Sequence, residues 1–97
     1  FHLDAIITSV DIQGIGALRA VKEQAMLVPE DIRLISLTGH SIGGMLETTM
    51  TSLEIPAHEM GKKSALMAME EIDAPSDQKP SPQHLVFEAT LVERESS

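Results

Sequence analysis

The residues best equipped for chemistry stand together in Gly39-His40-Ser41-Ile42-Gly43. A G-x-S-x-G run that follows a strand and precedes a helix is where α/β hydrolases expose a serine nucleophile. Such a serine also needs a histidine base oriented by a carboxylate, and an oxyanion hole from a separate, earlier loop. His58 falls just after the serine's own loop, and His84 has only Asp73 and Asp77 in the linker before it, a poor match to the wide spacing these triads use. The chain is also less than half the length such an enzyme needs, so we expect no catalytic residue, and the hydrolase is kept only as an alternative. In the other reading the glycines shape a loop at the carboxyl end of a strand, where ligands of open α/β sheets bind. Thr38, His40 and Ser41 are then the polar candidates for holding a ligand, with Asp11 a fourth. Asp11 has a competing role as a helix cap, and His40 the plainer task of satisfying loop carbonyls.

These residues need a scaffold, and the apolar pattern predicts one. Asp4 to Val10 (DAIITSV) is short, apolar and β-branched, as expected of a strand buried on both faces. Asp11 reads as an N-cap, and Gly14, Leu18, Val21 and Ala25 recur at helical spacing, so a helix is predicted from Ile12 to Ala25. Pro29 breaks the chain before the strand candidate Ile32 to Leu37. Strand, helix and strand over this length signal a βαβ unit with parallel strands. Gly39, Gly43 and Gly44 punctuate a turn, and Thr51 to Ile55 is a strand stopped by Pro56. The parallel sheet is predicted to contain 4–10, 33–38 and 51–55. From Ala57 the helical period returns: Ala57, Gly61, Ala65, Ala68 and Ile72 share a face flanked by Met60, Leu66, Met67 and Met69, which predicts a well-buried helix. Ala74 to Pro82 is a loop by its prolines and polar content. His84 to Val92 reads as a last strand and Glu93 to Ser97 as a frayed tail. Lys62, Lys63, Glu70 and Glu71 read as a solvated helix face.

Composition limits what the scaffold can do. Ninety-seven residues make one small domain, able to bury roughly two thirds of its unfolded surface. A net charge of -8 without any run of Lys or Arg argues against direct contact with nucleic acid or anionic membrane, both of which require neutralising cations. The absence of cysteine excludes disulfides and thiolate metal sites and suits the cytoplasm. No metal site or cofactor is expected. No apolar stretch reaches the roughly 18 residues of a membrane span, and the N-terminus does not resemble a signal peptide.

The order and spacing of several segments resemble the LacI/GalR family of transcriptional repressors. Asp4-Ala5-Ile6-Ile7, Asp11 and Gly16-Ala17-Leu18-Arg19-Ala20 are similar to the family's strand, aspartate and helix. Val28-Pro29-Glu30-Asp31-Ile32 is similar to its V-P-E-D-I/V segment, and Thr51-Ser52-Leu53 with Pro56 to its T-T-V/I-x-x-P. Glu59-Met60-Gly61 resembles E-M-G-x-x-A, and Leu91 to Ser96 the terminal L-x-x-R-x-S. Leu37 to Gly44 and His84 to Phe87 look most like sucrose-operon repressors of Gram-positive bacteria. The departures fall in the pocket: positions where family members often carry an effector-binding Asn, Asp and Gln are here Val10, Thr38 and Ile55. A different polar set must then orient the ligand, and Thr38, His40 and Ser41 supply it.

The resemblance implies an α/β fold, part of a periplasmic-binding-protein-like (LacI-type) domain with a parallel sheet and flanking helices. It assigns 1–53 to the C-terminal subdomain, 57–72 to a helix of the N-terminal subdomain and 84–95 to the returning strand, so that the helix is expected to lack its sheet. The implied partners are a sugar or sugar phosphate, a second copy of the chain, and operator DNA reached only through a headpiece absent from this chain; no membrane partner is implied. Ile15 lies about 100° off the Gly14, Leu18, Val21 stripe, and Met45-Leu46 follow two glycines in a polar segment, so that none has an obvious internal partner. With the resemblance, these three residues are expected at a homodimer interface. A periplasmic-type sugar-binding protein of the same architecture is the main alternative.

Overall fold

The β-branched run near the N-terminus forms strand β1 (Ala5–Thr8), and helix α1 (Asp11–Glu23) carries the chain to strand β2 (Arg33–Gly39), parallel to β1. The structure, a computed structural model, describes residues 2–39 and 41–97. A single 3-10 turn over Ser41–Met45 leads to strand β3 (Thr51–Glu54), which lies parallel to β2. After helix α2 (Ala57–Asp73), strand β4 (Thr90–Val92) pairs antiparallel with β3. The strands stand in the order β1-β2-β3-β4 in one sheet. The fold is thus α/β, with a mostly parallel sheet against which α1 packs.

Helix α1 covers this sheet through the stripe that its spacing predicts: Gly14, Leu18 and Val21 are buried. Leu18 meets Leu34 of β2 and Met50 just before β3, with Ile6, Ala17, Val28 and Leu46 packed around them. Burial in β2, though not residue type, follows this one-sided cover. Leu34 and Ser36 of β2 are fully buried, whereas Leu37 is exposed. β1 departs from the expected two-sided burial, because Ile7 is 64% exposed on the face opposite Thr8.

Helix α1 also stops for a local reason. The Met26 amide donates to the carbonyl of Val21 at 3.2 Å and the Ala25 amide to that of Lys22 at 3.0 Å. This bond pair is the Schellman arrangement, with Ala25 as the residue in the left-handed region (φ 58°). Ala25 therefore closes the helix end instead of continuing the buried stripe. The following turn is held by Asp31, whose carboxylate accepts from the Leu27 amide at 2.7 Å while its own amide donates back to the Leu27 carbonyl.

The C-terminal residues, expected to fray, are bound into the sheet. Ser96 is fully buried: its amide donates to Thr49, its carbonyl accepts from the Leu34 amide, and its hydroxyl accepts from the Thr51 amide at 2.8 Å and donates to the Leu34 carbonyl. Glu95 adds a second tie, its carboxylate accepting from the Thr49 hydroxyl at 2.9 Å. Polar residues made the tail look unstructured, yet here they supply hydrogen bonds that the open ends of β2 and β3 would otherwise lack.

The chain divides into two compact units, one comprising the segment up to Ile55 together with Ala89–Ser97, the other Pro56–Glu88. In the second unit α2 has no buried residue, contrary to the burial that its apolar face predicts. Gln83, His84, Leu85 and Phe87 and the α2 residues Met60, Lys63, Ser64 and Met67 line one shallow pocket. Residues 84–89 are not strand, and Val86 is 84% exposed. The physical reason for both differences is the same: among the described residues this unit holds no sheet to cover the helix or pair with the segment. α2 ends where Ala74 turns extended (φ -69°, ψ 141°) ahead of Pro75.

Candidate functional site

Asp11 is the first residue of α1, not its cap: the capping position is Val10, in extended conformation (φ -140°, ψ 160°), whose side chain offers no cap. The helix entry is closed instead by Gln13, whose side chain accepts from the Ser9 amide at 3.1 Å. Asp11 is buried, and a carboxylate in the first helical turn is favoured by the positive end of the helix dipole. A Cβ built on Gly39 would stand 3.3 Å from Asp11 Oδ1, so the aspartate meets the carboxyl end of β2. Thr38, half-buried, is one residue before that end. The fold therefore brings Asp11 and the Thr38–Gly39 segment together at the carboxyl edge of the parallel strands. His40 lies outside the described residues, as does the side chain of Ser41.

Gly39 also reveals why the elbow-like motif is present. A Cβ there would lie 2.2 Å from Ser52 Cβ, so only glycine lets β2 and β3 approach at this point. The segment that follows is a 3-10 turn, not the α-helix into which a nucleophile elbow leads. His58 and His84 belong to the second unit.

Below this edge runs a row of hydroxyls that apolar periodicity did not reveal. Thr8 pairs in register with Ser36, and Ser36 with Ser52, and all three are buried. A Cβ on Gly14 would be 3.2 Å from Thr8 Oγ1, which puts Thr8 under α1. Thr8 Oγ1 donates to the Ile35 carbonyl at 3.5 Å, while Ser36 Oγ has no hydrogen-bond partner among the described residues. The signal available in the sequence was the recurrence of hydroxyl residues in all three strands, Thr8 in β1, Ser36 and Thr38 in β2, and Thr51 and Ser52 in β3.

Ile15 and Leu46 line one open depression with Leu18, Arg19 and Lys22. Leu46 differs from expectation in having an internal partner, since it packs on the Leu18–Leu34–Met50 core. Met45 is 80% exposed. Among the described residues, no helix is long and apolar enough to cross a membrane.

Residues 2–97 match the periplasmic binding protein-like domain. The chain belongs to this family. Among curated relatives, this periplasmic binding protein-like domain is 30% identical to the HTH-type transcriptional regulator CelR of Thermobifida fusca, over 97% of this chain and 27% of that protein. It is 28% identical to the HTH-type transcriptional repressor MelR of Bacillus subtilis, over 98% of this chain and 27% of that protein. Among solved structures, a complex of transcriptional regulator CelR with cellobiose matches with a TM-score of 0.84 at 30% identity, covering 97% of this chain and 28% of the other. The domain is of the kind that LacI/GalR-type transcriptional regulators use to bind effectors. It spans little more than a quarter of the length of these regulators.

Proposed function

We propose that this chain is the effector-binding and dimerisation region of a cytoplasmic, sugar-responsive transcriptional repressor. Operator DNA is contacted by a headpiece outside the chain, which accords with a net charge of -8. The effector is a free or phosphorylated disaccharide of the sucrose type, oriented by Asp11, Thr38, His40 and Ser41, and it is not hydrolysed. The observation that carries this reading is the buried Asp11 carboxylate against Gly39 at the carboxyl edge of a parallel sheet, in a domain of this family. Sugar binding needs directional donors and acceptors, because an unpaired hydroxyl is costly to bury. The cellobiose complex of a 30% identical regulator supports a disaccharide, and the regulators among the relatives support a repressor over a transport receptor.

In this reading 1–53 is part of the C-terminal subdomain, 57–72 a helix of the N-terminal one and 84–95 the returning strand. Sugar closes the cleft between the subdomains and shifts a homodimer between DNA-competent and incompetent states. The two copies meet through Ile15, Met45 and Leu46, with Met45 supplying an adaptable contact. Calorimetry of the full-length protein against a sugar panel tests the proposal: binding weakens in His40→Ala, and Ser41→Ala removes no esterase activity. Ester turnover abolished by Ser41→Ala would overturn it.

A further inference from the structure

Arg94 lies two residues after the end of β4, and its side chain is only 15% exposed. One arm of its guanidinium donates to the Met50 carbonyl at 2.8 Å and to Ser52 Oγ at 3.0 Å, and the other pairs with Glu54 Oε1 at 2.7 Å. The flat group also rests on the turn after β2: a Cβ on Gly43 would stand 3.1 Å from Nη1, and one on Gly44 3.5 Å from Nε. Gly43 is fastened to the same place, its carbonyl accepting from the Met50 amide at 3.0 Å. Ser52, held by Arg94, is the residue against which Gly39 is pressed, and Gly39 in turn abuts Asp11.

Glu54 is the last residue of β3, and the chain passes into the second unit directly after Ile55. One side chain thus touches both the turn that begins at the candidate ligand residue Ser41 and Glu54, two residues before the second unit begins. The geometry points to Arg94 as a positioning residue that couples the Ser41–Met45 turn to the crossing at Glu54, so that occupancy of the ligand edge biases how the strand leaves the first unit. This inference deepens the sugar-binding reading and rests on it. A planar five-donor fork serves these acceptors together; a lysine ammonium, a compact point charge, does not.

Amide hydrogen exchange of the full-length protein tests the coupling, with Arg94→Lys, Glu54→Gln and the double variant, each measured alone and with sucrose, sucrose phosphate or cellobiose. Without sugar, Arg94→Lys and Glu54→Gln should each speed exchange over 41–48 about fivefold, and the double variant should exchange no faster than Arg94→Lys. With a bound sugar, Glu54→Gln should keep its affinity within about threefold and its protection at 41–48, yet lose the protection that wild type shows at 52–58. A merely structural arginine would lower the melting temperature while leaving sugar-linked protection at 52–58 intact, and that result overturns the coupling. So does unchanged exchange at 41–48 in Glu54→Gln, a readout that holds even where Arg94→Lys does not fold. If no sugar of the panel protects wild type, the effector reading fails for this panel, whereas the sugar-free comparison still decides whether Glu54 and Arg94 hold the turn as one unit.

Discussion

Ala25→Gly is expected to stabilise the protein, although glycine replaces alanine at the end of a helix. Ala25 has φ 58°, where its Cβ crowds the backbone. An L-residue pays roughly 1–2 kcal/mol in that region, a cost absent for glycine. Against this gain stands the greater freedom of an unfolded glycine, about 0.4–1 kcal/mol. The side chain of Ala25 is exposed, so its removal loses no packing, and the bonds from Met26 to Val21 and from Ala25 to Lys22 use backbone atoms that persist in the variant. The balance is a net stabilisation of about 0.5–1 kcal/mol. Urea unfolding of the full-length protein and the variant, compared at equal m, reads this as a higher midpoint. Ala25→Val supplies the opposite sign, because a β-branched residue tolerates positive φ less well. A destabilisation of Ala25→Gly by about 1 kcal/mol, the ordinary cost of glycine within a helix, would show that α1 runs through residue 25 and refute the reasoning.

Three further outcomes follow from the same packing. Leu18→Ala should cost about 2–5 kcal/mol in urea unfolding, as expected for a leucine in contact with Leu34 and Met50; a loss below about 0.5 kcal/mol would place it at the surface. Ser36→Ala and Ser96→Ala remove equally buried hydroxyls with different results: the first should change stability by less than about 0.5 kcal/mol, since Ser36 Oγ has no partner among the described residues, and the second should cost about 1–3 kcal/mol by stranding the Thr51 amide. Equal effects in the two variants would contradict the hydrogen-bond assignment. For the proposed dimer, Ile15→Asp with Met45→Asp should sediment as a folded monomer; these two are chosen because Leu46 also supports the core. A folded dimer of that variant would put the interface elsewhere.

Period and turn chemistry made the first unit legible. The Gly14, Leu18, Val21 stripe, the three parallel strands and the break near Pro29 all follow from spacing, because the stripe of α1 finds its partner in the sheet, although Ile7 and Leu37 on the other face stay exposed. The second unit was less legible for the complementary reason. Periodicity reports that α2 has an apolar face, but burial depends on what stands opposite, and Leu66, Met69 and Ile72 all remain exposed. Polar tails and caps misled in another way. Glu95 and Ser96 look like solvated residues until β2 and β3 present them with open amides and carbonyls, and Asp11 looks like a cap until the helix starts one residue early. Of the candidate site, Asp11 and Thr38 were read from the sequence; Asp11 stands beside Gly39, the last residue of β2, and Thr38 immediately precedes it. The hydroxyl row of Thr8, Ser36 and Ser52 was hidden because it emerges only when the strands are set in register.

The central claim is that the carboxyl edge beside Asp11 and Thr38 binds a disaccharide. Calorimetric titration of the full-length protein with free and phosphorylated disaccharides, repeated with Asp11→Asn and Thr38→Val, tests it most directly. One sugar of the panel should bind wild type and lose at least about tenfold in affinity in Asp11→Asn, equivalent to about 1.4 kcal/mol, with a smaller loss in Thr38→Val and none in Lys62→Ala on α2. A sugar bound with equal affinity by wild type, Asp11→Asn and Thr38→Val would contradict the account, because its pocket would then lie away from this edge.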